Sequence, residues 1–438
     1  MSSSPAPMPF IDALREAGSL RLPGSGLAWL DAARRENLEA FIAAGLPDTR
    51  AEAWKYTALR ALGQRRFALG DVAAVSHPVD PYALTLPGID GPRLVFVNGV
   101  FRADLSRLEA LPPGLSLQPL SRVLENDPEP LRFALNRHYR EAGDAFAQLN
   151  AALAGDGVVL RVAPGVRVNK PIHLCFAGTP AQGDAAWHVR NVIELGENAQ
   201  IDLVEHHLAT AQHKHLGTLV SDIVLRDGAT LQHALLQNAA DESTLIRRGS
   251  VHLGAKAHAA MHVLELGGAL VRHDLHAQLR GDGARFDTRG VFVLRGRQHV
   301  DTQLSIRHQA LNTASESIWR GVADERSRGV FRGAIVVAEG ADGSDASLSN
   351  KNLLLSAQAE IDTKPELEIY ADEVKAAHGA TVGQLDERAL FYLRSRGLPN
   401  AEARGLLTAA FCRAVFTALP NETLRDHFSD ALLARLPS

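Results

Sequence analysis

Cysteine is scarce in this sequence: Cys175 and Cys412 are the only two among 438 residues. Two thiols this far apart exclude a disulfide framework and a Cys-x-x-Cys metal site. They also exclude a complete four-thiolate metal cluster held by one copy of the chain. Any cluster bound here would therefore need other ligand types or ligands from a second subunit.

The sequence also lacks a strong charge of one sign and a long apolar run. The formal net charge of -4 gives no basic footprint for nucleic acid or an anionic membrane. The longest apolar candidate, residues 405–419, is interrupted by Arg413. The first ten residues, MSSSPAPMPF, have neither the basic start nor the apolar stretch of a secretory signal. We therefore expect a cytoplasmic protein.

Familiar catalytic motifs are missing as well. The sequence has no G-x-x-x-x-G-K-[ST] loop, which indicates that the chain does not hydrolyse ATP itself. The segment GSDAS at residues 343–347 lacks the second glycine of a nucleophile elbow. Asp342, Asp345 and Asp362 could belong to a lyase or glycosidase built on a β-helix. Acidic residues in turns are more often solvated, so we expect a protein that is not an enzyme and keep the carbohydrate-active enzyme as the alternative.

The length and the change of pattern along the chain predict three regions. A chain of 438 residues exceeds the usual size of one compact core. Residues 1–154 carry mostly helical patterns, with proline-rich interruptions between Pro78 and Pro92. Residues 155–376 consist of short alternating runs separated by glycine-containing turns, and residues 377–438 return to helical periodicity.

The central region repeats. Leu195, Leu225, Leu253 and Leu279 occupy equivalent places in four segments, at intervals of 30, 28 and 26 residues. Repeats of this length indicate a solenoid, and alternating strands without intervening helices indicate a parallel β-helix. We expect nine or ten coils between Val158 and Tyr370, with the leucines in one internal stack. A β-sandwich with accidental register is the alternative.

Three short helices are predicted after residue 383. Asp386 is expected to cap the first helix and Gly397 to end it in a left-handed conformation. Asn400 is expected to cap the second helix, which Pro420 ends, and Asn421 starts the third. The second helix has an apolar stripe, which consists of Ala403, Leu406, Leu407, Ala410, Phe411, Ala414, Val415 and Ala418. Cys412 is expected to be a small core residue of this helix.

Histidines are concentrated in EHHLATAQHKH, residues 205–215. His213 and His215 would share one face of a strand, and imidazole pairs can bind zinc, copper or iron. Other histidines of the repeats fall at different offsets from their anchors and form no obvious ladder: His206, His233 and His258. We expect most of these side chains to be exposed or hydrogen-bonded, with a metal role as the weaker alternative.

Several motifs near the carboxyl end carry a resemblance to a known family. In a fixed order the sequence contains SNKNLLLS at 349–356, PELEIYADEVK at 365–375, HGATVG at 378–383 and FYLRSRG at 391–397, and further upstream EAWKYT at 52–57. With these motifs the chain resembles the SufB/SufD family of iron–sulfur cluster assembly proteins, and within it the SufD-like members. Long matches in a fixed order are more specific than any one short motif.

The resemblance implies a fold, partners and a role. Members are built on a right-handed parallel β-helix flanked by helices. A SufD-like member is a non-catalytic scaffold subunit that forms a heterodimer with SufB and binds SufC, an ABC-type ATPase, through its carboxyl-terminal helices. The nascent iron–sulfur cluster would be shared with SufB. Reduced flavin in the complex and a homodimer in isolation are left open, and a purely structural homodimer is a further alternative.

His378 is the candidate metal ligand. It is expected at the transition from strand to helix, next to Gly379, and a histidine there could simply bond to the backbone. Neutral imidazole is nevertheless a competent iron ligand, and the resemblance implies that this histidine faces SufB at the cluster-assembly site. Many family members carry a cysteine where this chain has Ala376, so His378 is the sole recognisable ligand here. The missing thiol favours a SufD-like over a SufB-like member.

Overall fold

A computed structural model describes residues 8–17, 20–69 and 79–436. Residues 1–7, which carry most of the segment used to exclude a secretory signal, lie outside the described residues, as does Pro78. Within the described part of the chain, no helix combines the length and the apolar character needed to cross a membrane.

The amino-terminal region contains six helices and three strands in its described part. They are α1 (Pro9–Glu16), α2 (Ala28–Ala44), α3 (Arg60–Gly63), β1 (Arg93–Val97), β2 (Val100–Phe101), β3 (Leu115–Pro119), α4 (Leu120–Asn126), α5 (Arg132–Leu135) and α6 (Ala145–Leu153). The strands join the two sheets of the central region, so this region is not purely helical.

Sixteen strands form the central region. They are β4 (Val158–Val162), β5 (Ile172–Gly178), β6 (Ala186–Leu195), β7 (Gln200–Ala209), β8 (Leu216–Leu225), β9 (Thr230–Asn238), β10 (Thr244–Leu253), β11 (His258–Glu265), β12 (Leu270–Leu279), β13 (Arg285–Leu294), β14 (His299–His308), β15 (Ala314–Ala323), β16 (Arg328–Val337), β17 (Asp345–Leu354), β18 (Glu360–Ile369) and β19 (Lys375–Gly383). From β5 onward the odd-numbered strands form one sheet, and from β4 onward the even-numbered strands form the other. We call them the odd sheet and the even sheet.

The strands form a parallel β-helix, as the repeat predicts. Within each sheet, every strand from β4 to β19 pairs in parallel with the strand two places along the chain, which a β-sandwich would not show. Each coil contributes one strand to each sheet, which gives eight coils between β4 and β19. The expected number of nine or ten is therefore too high, and the spacings between the register partners Leu279, His308, Val337 and Ile369 are 29, 29 and 32 residues.

The anchor leucines lie in one internal stack. Leu195 pairs with Leu225, Leu225 with Leu253 and Leu253 with Leu279, and all four side chains are buried. Each coil thus covers the apolar row of the next, which is the nearest-neighbour stabilisation of a solenoid. The predicted register of the repeat is confirmed.

The interior of the β-helix also contains a buried charge cluster. The Glu205 carboxylate accepts hydrogen bonds from Arg247, at 2.9 Å, and from the His207 ring, at 2.6 Å, and His233 lies 3.2 Å away. Burial opposes ionisation of this carboxyl, but Arg247 and the two histidines hold the pKa of Glu205 well below its ordinary value. Glu205 and its partners therefore form a charged, hydrogen-bonded group that is surrounded by the apolar core.

Breaking this cluster on one side is expected to destabilise the protein. Arg247→Met leaves Glu205 buried without its counter-charge, which costs about 3 kcal/mol. The double variant Glu205→Gln, Arg247→Met removes both charges and is expected to regain most of that loss. Urea unfolding of the two variants at neutral pH measures the difference; equal stability of the single and double variants would contradict this interpretation of the cluster.

Helices cover the outer faces of both sheets. Helices α1, α2 and α6 pack against Ala186, Leu216 and Ile246 of the even sheet. The segment EAWKYT anchors this packing: Trp54 is buried with the Arg272 guanidinium 3.9 Å from its ring centre, and the Thr57 hydroxyl donates to Asp301.

Three helices follow the last strand: α7 (Glu387–Ser395), α8 (Asn400–Arg413) and α9 (Glu422–Leu433). Asp386 and Asn421 cap α7 and α9 as predicted, accepting from the backbone N–H of Arg388 at 2.8 Å and of Leu424 at 3.1 Å. Gly397 has the predicted positive φ, of +91°. The prediction for Asn400 is wrong, because it lies inside α8, whose N-cap is Pro399.

The buried stripe of α8 differs from the predicted one. Cys412 is fully buried, as expected, but Leu406 is 49% exposed. Ala403, Thr408 and Ala409 are buried. Helices α8 and α9 pack on the outer face of the odd sheet and bury the side of α8 that faces it. The predicted stripe therefore divides into a buried part and a part that faces outward.

Candidate functional site

The last coil leaves one end of the β-helix open. In the odd sheet β19 pairs only with β17, and in the even sheet β18 pairs only with β16. The far edges of β18 and β19 therefore present backbone N–H and C=O groups without a strand partner in the described structure. Such an edge is a template for pairing with another chain. We call the surface formed by β18 and β19 the open end.

His378 lies in the middle of β19, at the open end. It is exposed, and its register partner is Leu348 of β17, which is buried in the core. Residues paired in neighbouring parallel strands lie on the same face of the sheet. His378 therefore continues an interior row of the β-helix at the last coil, which no further strand covers within the described residues.

Strand β19 extends across the predicted end of the central region, whereas the first helix begins after residue 383, as predicted. Strand β19 continues to Gly383, and α7 begins at Glu387. The boundary expected between residues 376 and 377 thus falls inside a strand. The sequence does not reveal this strand, because alternation of apolar and polar residues depends on burial of one face and the last coil buries neither face well.

Two asparagines make the interior beneath the open end polar. Asn350 and Asn352 of β17 are buried, and the Asn352 amide donates to the Asn350 side-chain oxygen at 2.6 Å. That oxygen also accepts from the Thr363 hydroxyl at 2.8 Å, and the Asn352 amide donates to the Thr381 carbonyl at 3.1 Å. The network ties β17, β18 and β19 together. Its signal in the sequence is the Asn-x-Asn pair within SNKNLLLS, where apolar residues would be expected.

His378 would give a metal ion a single ligand from this chain, its imidazole. Within residues 8–17, 20–69 and 79–436 it belongs to no group of three histidine, cysteine, aspartate or glutamate side chains that could hold a metal ion. Ala376, two places earlier, pairs with the buried Ala346 and lies on the same interior face, in the neighbouring row. A cysteine at position 376 would lie beside the histidine on this face, whereas alanine offers no ligand atom there.

The three candidate carboxylates, Asp342, Asp345 and Asp362, do not converge on a site. Asp342 lies in the turn before β17, while Asp345 and Asp362 lie on strands of different sheets. Asp362 is paired with Arg328 at 2.7 Å. The three carboxylates of the carbohydrate-active alternative are thus distributed over separate elements.

The histidines of residues 205–215 were expected to be exposed or hydrogen-bonded; all of them are buried, and His207 and His215 are hydrogen-bonded. His215 uses both ring nitrogens on the backbone: Nδ1 accepts from the Ala185 N–H at 3.0 Å, and Nε2 lies 2.9 Å from the Thr179 carbonyl. The ring of His213 stacks on it with centres 4.4 Å apart. His215 is therefore hydrogen-bonded rather than available to a metal.

Large apolar side chains are exposed close to His378 in the chain. Ile369, Tyr370 and Val382 belong to the last coil and are 42%, 61% and 42% exposed. Phe391 and Tyr392 of α7 are 72% and 58% exposed. Exposed apolar patches of this kind mark protein interaction sites. We call the residues of α7, with Leu406 of α8, the helix patch.

Comparison with known proteins agrees with this architecture. Residues 18–174 match the family model of the SufBD protein N-terminal region, and residues 177–411 match that of the SufBD core domain of SUF system FeS cluster assembly. The iron–sulfur cluster assembly protein SufD of Escherichia coli is 30% identical over 405 residues, which cover 92% of each chain.

Two further relatives extend the comparison. An iron–sulfur cluster assembly SufBD family protein of Synechocystis is 30% identical over 401 residues, covering 89% of this chain and 87% of the relative. SufD of Bacillus subtilis is 28% identical over 281 residues, 63% of each chain. The resemblance predicted from the motifs is confirmed, and the chain belongs to the SufB/SufD family of iron–sulfur cluster assembly proteins.

Proposed function

We propose that this chain is a non-catalytic scaffold subunit of a SUF complex. Its open end pairs with a SufB-like protein, and His378 supplies one ligand to the cluster that forms between the two subunits. Its carboxyl-terminal helices hold a SufC-like ATPase. The observation that carries the proposal is the position of a single exposed histidine on the interior row of an uncovered coil.

The open end supports pairing through its edges and its chemistry. Unpaired edge strands can be extended by strands of another chain, which supplies main-chain hydrogen bonds. Ile369, Tyr370 and Val382 would lose their exposure in such a contact. Because one imidazole cannot hold a cluster, the partner must provide the remaining ligands, and a thiolate is the ligand that iron–sulfur clusters prefer.

The helix patch supports a second contact beside the first. Only residues 384–386 separate β19 from α7. A shift of α7 would therefore be transmitted to the strand that carries His378. Nucleotide binding by the ATPase could move the open end only if the two nucleotide states bind the helix patch with different free energy.

Co-purification tests the proposed function. The chain is expressed with the SufB-like and SufC-like proteins of the same cell and isolated through a tag on this chain. We expect all three polypeptides together, with iron and sulfide after reconstitution. Recovery of this chain as a homodimer, without either partner, would contradict the proposal.

Charge reversal at Arg394 of the helix patch and at Arg396, the residue that follows α7, is expected to separate the two contacts. Arg394→Glu with Arg396→Glu should abolish binding of the SufC-like ATPase, while the pair with the SufB-like protein remains. The control, Arg35→Glu with Arg60→Glu, changes the charge equally at exposed sites of the amino-terminal helices. Pull-downs with each partner measure the result. Loss of the SufB-like protein with the ATPase retained would show that the assignment is reversed, with the SufB-like protein bound at the helix patch.

A further inference from the structure

Three potential metal ligands converge on the outer face of the odd sheet. His173 and Cys175 lie two residues apart on β5, and His206 of β7 is the register partner of Cys175. One ligand atom of each residue lies within 4.8 Å of the other two. The pairing of β5 with β7 thus brings His206 to two residues that precede it by more than thirty positions, and it assembles a His–Cys–His cluster.

The cluster is buried and its polar atoms are not satisfied. The exposed fractions of His173, Cys175 and His206 are 1%, 0% and 7%. Nε2 of His173 and Nδ1 of His206 have no hydrogen-bond partner. An unsatisfied buried polar atom costs about 1–3 kcal/mol, and a cation coordinated through these two nitrogens would satisfy both of them.

Apolar side chains cover the His–Cys–His cluster, and the cluster lies far from the open end. Val204, beside His206, packs with Ile89 and with Phe428 of α9 in one apolar cluster. Strand β5 is separated from β19 by six strands of the odd sheet, from β7 to β17. At ~4.8 Å per strand, the two sites lie about 34 Å apart. Assembly of an iron–sulfur cluster at His378, as proposed above, would therefore not account for this separate group of His173, Cys175 and His206.

We propose that His173, Cys175 and His206 form a binding site for a thiophilic transition-metal cation. Two imidazoles and one thiolate suit Zn²⁺ and Cu⁺, whereas Mg²⁺ and Ca²⁺ prefer oxygen ligands. Zn–N bonds of about 2.0 Å and Zn–S bonds of about 2.3 Å require the ligand atoms to approach each other by roughly 1 Å. The rings of His173 and His206, which are stacked with centres 5.7 Å apart, must rotate to supply this movement.

The proton balance of binding is simple. Burial keeps both imidazoles neutral, since it lowers the pKa of His206 to about 3 and that of His173 well below its ordinary value. Burial raises the pKa of the Cys175 thiol to about 12, against the opposing effect of Arg93. The cation therefore binds two free nitrogen lone pairs and displaces the thiol proton, which is released to solvent.

Metal binding by the purified full chain tests the site. The protein is stripped with a chelator and equilibrated separately with Zn²⁺, with Cu⁺ under anaerobic reducing conditions, and with Co²⁺ as a spectroscopic reporter. We expect one ion per chain and, for Co²⁺, a thiolate charge-transfer band. Cys175→Ser should abolish the band, and His206→Gln should weaken binding at least about tenfold. Competition between Zn²⁺ and Cu⁺ identifies the preferred ion.

Cys412→Ser is the matched control. Cys412 is also fully buried, and burial likewise raises the pKa of its thiol to about 12, but it lies on α8, outside the His–Cys–His cluster. This variant should bind as the unaltered chain does. If Cys175→Ser does not fold, as judged by its thermal transition, His173→Gln replaces it. A band that persists in folded Cys175→Ser, unaltered affinity in folded His173→Gln or His206→Gln, or an unaltered chain that takes up no ion would overturn the proposal.

Discussion

Replacing His378 with alanine is expected to lower the iron and sulfide content of the assembled complex at least about tenfold. Loss of a group that only supports a metal ligand already costs about 10- to 100-fold in affinity, so loss of a ligand should cost no less. The stability of the chain should hardly change, because the side chain is exposed and removing it uncovers little apolar surface. Reconstitution under anaerobic conditions, with iron and sulfide measured per complex, gives the ratio.

A control substitution on the same strand distinguishes the loss of a metal ligand from a general disturbance of the β19 surface. Thr381→Ala changes an exposed residue of β19 on the opposite face from His378. This variant should assemble clusters at the unaltered rate. Unchanged iron and sulfide content in His378→Ala, in a complex that still contains both partners, would show that this histidine is not a ligand of the iron–sulfur cluster.

The free energy of unfolding is expected to fall steeply below about pH 6.5. Burial lowers the pKa of His188 to about 3 and of three further histidines to about 4: His262, His276 and His308. Their pKa in the unfolded chain lies near 6.5. The unfolded state thus binds more protons in this range, so the stability is present above pH 6.5 and is lost as the pH falls toward 4.

The expected loss of the free energy of unfolding per pH unit is large. Each such histidine contributes about 1.4 kcal/mol per pH unit, so four contribute about 5 kcal/mol per unit. Since domains are stable by only about 5–15 kcal/mol, we expect acid unfolding near pH 5. Urea unfolding at a series of pH values between 7.5 and 5 measures the slope.

One substitution resolves the contribution of a single histidine. The ring of His308 lies 2.8 Å from the Thr313 hydroxyl and 2.9 Å from that of Ser315. His308→Asn keeps a polar group there but does not titrate, so proton uptake on unfolding should drop by about one. A stability that stays constant between pH 7 and pH 5 would contradict the whole interpretation.

The parts of the fold that were predictable depend on local chemistry or on repetition. Leu195, Leu225 and Leu253 were predicted to stack because a repeat places equivalent residues in equivalent environments. Asp386, Gly397 and the third helix were predicted because caps act through the residue's own side chain and backbone.

The remaining features depend on contacts between distant segments. Trp54 lies beneath Arg272 because the amino-terminal helices pack on the even sheet, and no local pattern indicates this contact. His206 lies at an irregular offset from its anchor in the sequence, and only its pairing opposite Cys175 places it in the His–Cys–His cluster. Strand β19 was missed because the open end removes the burial that produces alternation.

Hydrogen exchange of the chain, alone and bound to a SufB-like protein, tests most directly whether the open end is the assembly surface. In the free chain the outward N–H groups of β18 and β19 have no strand partner and should exchange rapidly. Binding should slow exchange in β19, around His378, and in β18, while the amino-terminal helices stay unchanged. Slower exchange in the amino-terminal helices with β19 unaffected would contradict the account.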